Sequence, residues 1–358
     1  MRSRKSPIGS TGDERQAAGV FSYINTQVAR RNNERSVCFA AGSRHGAKQE
    51  EPDWIDGRRA TSDERFLYTE ISGVRLIDLH THTDESDGTS APDELVGAAV
   101  ALGLEALGIT DHDTFAGYDV AAPLAREVGL DLVCGIELST KRHRATGARA
   151  RSIHLLGYFL HEPPPQEFRA WLEGIRVARR DRNRRLADRL QSLGLDITLE
   201  EVERLGRSQA GRPHFARVMV EKGYVASIQE AFDLYLDESA KGYVERDEPE
   251  LEAGIRKLCE AGALSSLAHP IRLSRRNPAS FEKDLAEMCA MGLGAIEAYH
   301  SDHLQTDTAF FLSLARRYRL AVTGGTDFHG DNKPGLALGT GYGNVAVPRQ
   351  VLEALRNG

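Results

Sequence analysis

The chain has 358 residues, enough for two or three ordinary domains or for one barrel with an insertion. Its net charge of −6 gives no reason to expect a membrane or a general nucleic-acid partner, and no run is long and apolar enough to span a bilayer. Four cysteines lie far apart without a C-x-x-C pair, which suggests a reducing cytosol.

Residues 1–70 carry scattered charges and little periodicity. They read as a flexible N-terminal extension without chemistry, and they lack the apolar run of a secretory signal. The expectation is a cytoplasmic protein. An ordered pattern starts with a strand at 74–79. A helix at 93–102 follows, with Ser90-Ala91-Pro92-Asp93 as its start signal and Leu95, Val96, Ala99 and Val100 at helical spacing. A strand at 106–110, a helix at 119–128 and a strand at 130–138 continue the alternation, which predicts parallel strands joined by crossover helices. Pro163-Pro164-Pro165 breaks it. Residues 166–250 look all-helical, with Phe168, Leu172, Ile175, Leu186, Leu190 and Leu193 on or near one face. Alternation resumes near 253. The predicted organisation is α/β: a barrel made from 71–162 and 251–358, with a helical insertion at 163–250.

Short apolar segments repeatedly run into clusters of His, Asp or Glu. These are His80-Thr81-His82 with Asp87 shortly after, Asp111-His112-Asp113, Glu137, His154, His269, Glu297 with His300, and Asp327-Phe328-His329. Barrels of alternating strands and helices place their chemistry at the carboxyl ends of the strands. His-x-His on an extended chain turns both imidazoles to one side, because side chains alternate with period two. A carboxylate such as Glu137 at the end of an apolar strand is costly without a partner. A single His in an apolar run is more often a satisfied core residue, so the combination carries the argument. Carboxylate and imidazole donors without thiolates suit Mn, Zn or Fe(II).

The ordered set D-L-H-T-H, S-D-G, I-T-D-H-D, G-I-E, I-H-L-L-G-Y, L-A-H-P and G-T-D-F-H resembles the PHP (polymerase and histidinol phosphatase) family over residues 74–340. The resemblance implies a distorted (β/α)7 barrel with divalent metals, up to three ions. His80, His82, Glu137 and Asp327 would hold the first. Glu137 would bridge to a second held by His154 and His269. Asp87, His112 and His329 would hold the third. Asp327 and His269 are the catalytic candidates, with Asp327 a possible acceptor of the proton from the attacking water.

The stretch Gly211-Arg212-Pro213-His214-Phe215-Ala216-Arg217 narrows the branch. It is similar to the R-x-H-F-A-R segment of the nucleoside 3′,5′-bisphosphate phosphatases, a branch that includes RNase AM-like enzymes acting on the 5′ ends of short RNA. That implies Arg212 and His214 as substrate-binding residues, and a small phosphorylated nucleotide or short RNA end as partner, with no obligate protein partner. A histidinol-phosphate-type phosphatase and a metal-binding module without turnover stay open as alternatives. His300 and His303 match no ligand position and read as a polar loop. The basic run Arg176, Arg179, Arg180, Arg182, Arg184, Arg185 and Arg189 reads as a solvated helix face, with an electrostatic guide for an anionic substrate as the alternative.

Overall fold

A computed structural model describes residues 76–142, 151–206, 209–245, 247–276 and 278–357. It also describes one two-residue ladder, Trp54–Ile55 against Arg58–Arg59. The remainder of the expected N-terminal extension lies outside the described residues.

The main sheet contains β1 (Leu76–Thr81), β2 (Ala106–Ile109), β3 (Asp131–Arg142), β4 (Arg151–Phe159), β5 (Leu264–Leu267), β6 (Ala295–His300), β7 (Ala321–Gly325) and β8 (Val347–Pro348). The strands lie in the order β8-β1-β2-β3-β4-β5-β6-β7. The ladder nearly closes on itself. The Asp327 N–H donates to the His80 carbonyl at 2.8 Å, and the His82 N–H donates to the Phe328 carbonyl at 2.9 Å. The outcome is the α/β barrel expected, with eight strands in the sheet.

Two strands depart from the parallel pattern. β4 pairs antiparallel with both β3 and β5, and β8 runs antiparallel to β1. No crossover helix separates β3 from β4 among the described residues, so the chain reverses and β4 returns alongside its predecessor. This is why His154 stands near the beginning of its strand, whereas His80 stands near the end of β1 and Glu137 in the middle of the long β3.

Helices α1 (Pro92–Ala101) and α2 (Ala116–Val128) pack on the first strands. Between β4 and β5 come α3 (Gln166–Ser192), α4 (Leu199–Leu205), α5 (Arg212–Glu221), the short α6 (Ile228–Ala231) with a π turn after it, and α7 (Leu251–Glu260). The last third supplies α8 (Ile271–Arg276), α9 (Pro278–Ala290), α10 (Gln305–Tyr318) and α11 (Arg349–Asn357). Helix α3 serves two apolar clusters. Phe168, Leu172 and Ile175 join Ile136, Leu155 and Leu267 of the barrel. Leu186 and Leu190 join Phe215, Met219 and Leu236 of the outer helices. Arg179 and Arg182 occupy the buried stripe between those two groups. The solvated reading of the basic run therefore fails at these two positions. It holds better for Arg176, Arg180 and Arg184, which pair with Glu173, Glu203 and Asp181 in exposed contacts.

Candidate metal centre

Each strand presents its site residue through local bonding. Past β1, the turn carrying Asp87 is tied back by Ser86 and Gly88 N–H groups donating to the Thr83 carbonyl. A Cβ on Gly88 would stand 2.4 Å from the His82 carbonyl oxygen, so the turn closes only with glycine there. Asp111 is fully buried and accepts from the Thr83 N–H, the Thr83 hydroxyl and the Ser86 hydroxyl, joining the first two loops. The Glu137 N–H donates to the Thr110 carbonyl at 3.0 Å. Asp113, His269 and Asp327 all have positive φ, at 54°, 31° and 57°. Such sparsely populated backbone persists where the surroundings hold it, and it gathers at functional sites.

The nine residues expected as ligands are brought together. Glu137 stands at the centre. Its Oε1 lies 2.8 Å from His154 Nδ1 and 2.9 Å from His269 Nε2. Its Oε2 lies 3.1 Å from His82 Nε2, 3.3 Å from His112 Nδ1 and 3.5 Å from His80 Nε2. Asp327 Oδ1 lies 3.4 Å from both His80 Nε2 and His82 Nε2. Asp87 lies 3.2 Å from His329 Nε2 and 3.6 Å from His112 Nε2. The sets His80/His82/Glu137/Asp327, His82/Asp87/His112/His329 and His112/Glu137/His154 each have donor atoms within 4.8 Å of one another. The buried Nε2 atoms of His80 and His82 and the Nδ1 of His112 make no hydrogen bond among the described residues. Bare ring nitrogens converging with carboxylates fit divalent cations.

The electrostatics agree with that fit. Burial alone would raise the carboxyls of Asp87, Glu137 and Asp327. The facing histidines, together with Lys333 at Asp327, instead hold all three well below the usual carboxylate range. Burial opposes a charge on His80 and His82, yet the facing carboxylates raise both, His82 to about 9. Without cations, these two rings carry positive charge among the acids. Burial lowers His112 to about 3 and also lowers His269 and His329.

A cavity of about 370 Å³ opens beside the cluster. Asp87, Glu137 and His329 line one side, and Arg179, Arg182 and Arg212 line another. Arg212 stands at the start of α5, and its guanidinium donates to the Leu236 carbonyl at 3.3 Å. His214 is buried and is not part of the cavity wall. Its Nδ1 accepts the Gly211 N–H at 3.0 Å, and burial lowers its pKa to about 4. The ring is therefore neutral, with its proton on Nε2.

Several site residues escaped sequence reasoning. Glu297 is fully buried and meets His80 and His269. His300, read as part of a polar loop, ends β6 and is buried, with Nε2 3.5 Å from Asp327 Oδ2. Arg272 donates to the same oxygen at 2.9 Å, and Lys333 also donates to it. The strand-end position of Glu297 and His300 was the available signal; for Arg272, in the first turn of α8, and Lys333, in a loop, there was none.

Comparison with known proteins agrees with this architecture. The PHP domain matches residues 78–245. A 5′-3′ exoribonuclease of Haemophilus influenzae is 29% identical over 256 residues, covering 72% of this chain and 90% of that protein. A phosphoribosyl 1,2-cyclic phosphate 1,2-diphosphodiesterase of Eggerthella lenta is 33% identical over 260 residues, 71% of this chain and 94% of that one. A 3′,5′-nucleoside bisphosphate phosphatase of Chromobacterium violaceum is 30% identical over 265 residues, 74% and 90% of the two chains. A solved Bifidobacterium adolescentis structure, assigned as a metal-dependent phosphoesterase, superposes with a TM-score of 0.67 at 30% identity, covering 78% of this chain and 95% of that one. Among the described residues no helix is long and apolar enough to cross a membrane. Relatives matched at this identity over nearly their whole length settle the kinship: the chain belongs to the PHP domain family.

Proposed function

We propose that this chain is a metal-dependent phosphoesterase that hydrolyses phosphomonoesters of nucleotides, with 3′,5′-bisphosphates and the 5′ ends of short RNA as its substrate class. The observation that carries the reading is the convergence of carboxylates and bare imidazole nitrogens beside a cavity with an arginine wall. The bisphosphate phosphatase and exoribonuclease relatives support the nucleotide class.

In this reading His80, His82, Glu137 and Asp327 hold one ion, Glu137, His154 and His269 a second, and Asp87, His112 and His329 a third, with manganese the proposed metal. Divalent ions bound there supply a nucleophile at neutral pH and neutralise charge on the phosphoryl oxygens. Arg212 and Arg182, from the helical stretch 163–250 acting as a cap, face the substrate anion across the cavity. His214 fixes the first turn of α5 through Gly211 and offers a neutral N–H donor. Asp327 serves as a ligand more than as a proton acceptor, because Arg272 and Lys333 occupy its second oxygen and make it a weak base.

The test uses purified chain, stripped and reloaded with Mn²⁺, Zn²⁺ or Fe²⁺. The substrates are a nucleoside 3′,5′-bisphosphate, a 5′-phosphorylated oligoribonucleotide, histidinol phosphate and a ribose cyclic phosphate. Metal-dependent turnover of either of the first two is expected. Inactivity on both with all three metals, or preference for histidinol phosphate, would refute the proposal.

A further inference from the structure

Strand β6 ends in two buried side chains outside the ligand set, Glu297 and His300. Their donor atoms and those of His80 lie close enough together to suggest a cation site of their own. The hydrogen bonds point elsewhere. His80 Nδ1 lies 2.8 Å from Glu297 Oε1. His300 Nδ1 accepts the Asp302 N–H at 2.9 Å, which places that ring's proton on Nε2. No lone pair on His300 is left to face a cation between the three groups.

We infer that Glu297 is a positioning residue that sets two ligands at once, the ring of His80 and the backbone of His269. The inference rests on the metal-centre reading above. Glu297 Oε1 accepts a hydrogen bond from His80 Nδ1–H, so Nε2 is the nitrogen left to give up its proton to an ion, facing Glu137 and Asp327 at 3.5 and 3.4 Å. A carboxylate behind a ligating histidine fixes its tautomer and ring orientation and raises its basicity. The other oxygen, Oε2, accepts the His269 N–H at 2.6 Å. That N–H belongs to a residue with φ of 31°, a conformation which needs support. A charge-assisted bond supplies it. It leaves His269 Nε2 2.9 Å from Glu137 Oε1.

His80 and His269 come from β1 and β5 and belong to different ion positions, with rings 6.0 Å apart. One buried carboxylate therefore holds both positions in register. Its loss weakens two ions together.

Glu297→Gln tests this, because it keeps the volume but splits the two functions. Its amide oxygen accepts from His80, while its amide nitrogen presents a second donor to the His269 N–H. Mn²⁺ alone is the probe, measured by equilibrium dialysis and metal content on the full chain. The expected result is a loss of affinity of about 10–100-fold at two ions rather than one. Binding is compared at a temperature where circular dichroism shows the metal-free parent and variant both folded, because loss of the buried acid also lowers stability. A Mn²⁺ isotherm that overlays the parent's removes the role of Glu297 and leaves the metal centre standing. A parent that takes up no Mn²⁺ removes both. Should the variant not fold, ¹⁵N-histidine-labelled parent loaded with Zn²⁺ decides the matter. A His80 ring protonated on Nδ1 supports the inference, and one protonated on Nε2 overturns it.

Discussion

Arg179→Ala removes the cation that joins α3 to the mouth of the barrel. Arg179 Nη2 donates to Asp113 Oδ2, and both side chains are buried. Asp113 in turn stands between two ligand residues: it follows His112, and its N–H donates to the Glu137 carbonyl at 3.1 Å. Breaking a buried pair by deleting one partner costs about 3–5 kcal/mol. Asp113 Oδ1 keeps the Ser139 N–H at 2.7 Å. Retention of that bond places the expected loss at the lower end, about 3 kcal/mol. The assay is urea denaturation of chelator-treated protein. Asp113→Ala in the same background should recover about 1 kcal/mol or more relative to additivity, since the variant no longer buries the acid whose bond to Arg179 is lost. Turnover should fall as well, because the loop that carries His112 loses its anchor. A change for Arg179→Ala as small as that of the exposed Arg184→Ala, about 0.5 kcal/mol or less, would refute the reasoning.

Mn²⁺ binding should expel protons from His80 and His82, which the carboxylates keep charged in the metal-free protein. A group that must deprotonate to bind makes affinity rise with pH. Apparent affinity should therefore climb from about pH 6 towards about pH 9, and proton release should appear in weakly buffered dye solution; affinity that is flat with pH counts against the assignment. His269→Ala and Asp87→Ala should each lower turnover about a hundredfold or more, beyond the 10–100-fold of outer residues, while the metal-free melting temperature moves little. Gly88→Ala should displace the turn that carries Asp87, because its Cβ meets the His82 carbonyl. A destabilisation of about 1–3 kcal/mol and a selective loss of one bound ion are expected, read by denaturation and metal content.

The ligand set was legible because each member punctuates an apolar strand. His80 and His82 face one side for the period-two reason, and their rings lie 5.3 Å apart. The reversal at β4 was less legible, since a buried antiparallel strand carries the same apolar residues as a parallel one. Arg179 and Arg182 were misjudged although a signal existed. Phe168, Leu172, Ile175, Arg179, Arg182, Leu186 and Leu190 follow one another at spacings of three and four, so the apolar stripe runs straight through the two arginines. Glu297 was noticed at a strand end, but its partners come from β1 and β5, and no local pattern announces them. Cys134 is buried, whereas Cys259 in α7 is exposed.

Arg179 is the middle residue of a 27-residue helix, a rod about 40 Å long. One end of the rod is sunk in the barrel and the other is clasped by the outer helices. A long helix curves only gently unless a proline or a bulge interrupts it, so a rocking of its outer tip would turn the rod about its buried middle. The guanidinium groups nearest the pivot travel least. Arg179 and Arg182 therefore keep their spacing to Glu137 and His112 across the cavity even if the outer helices shift.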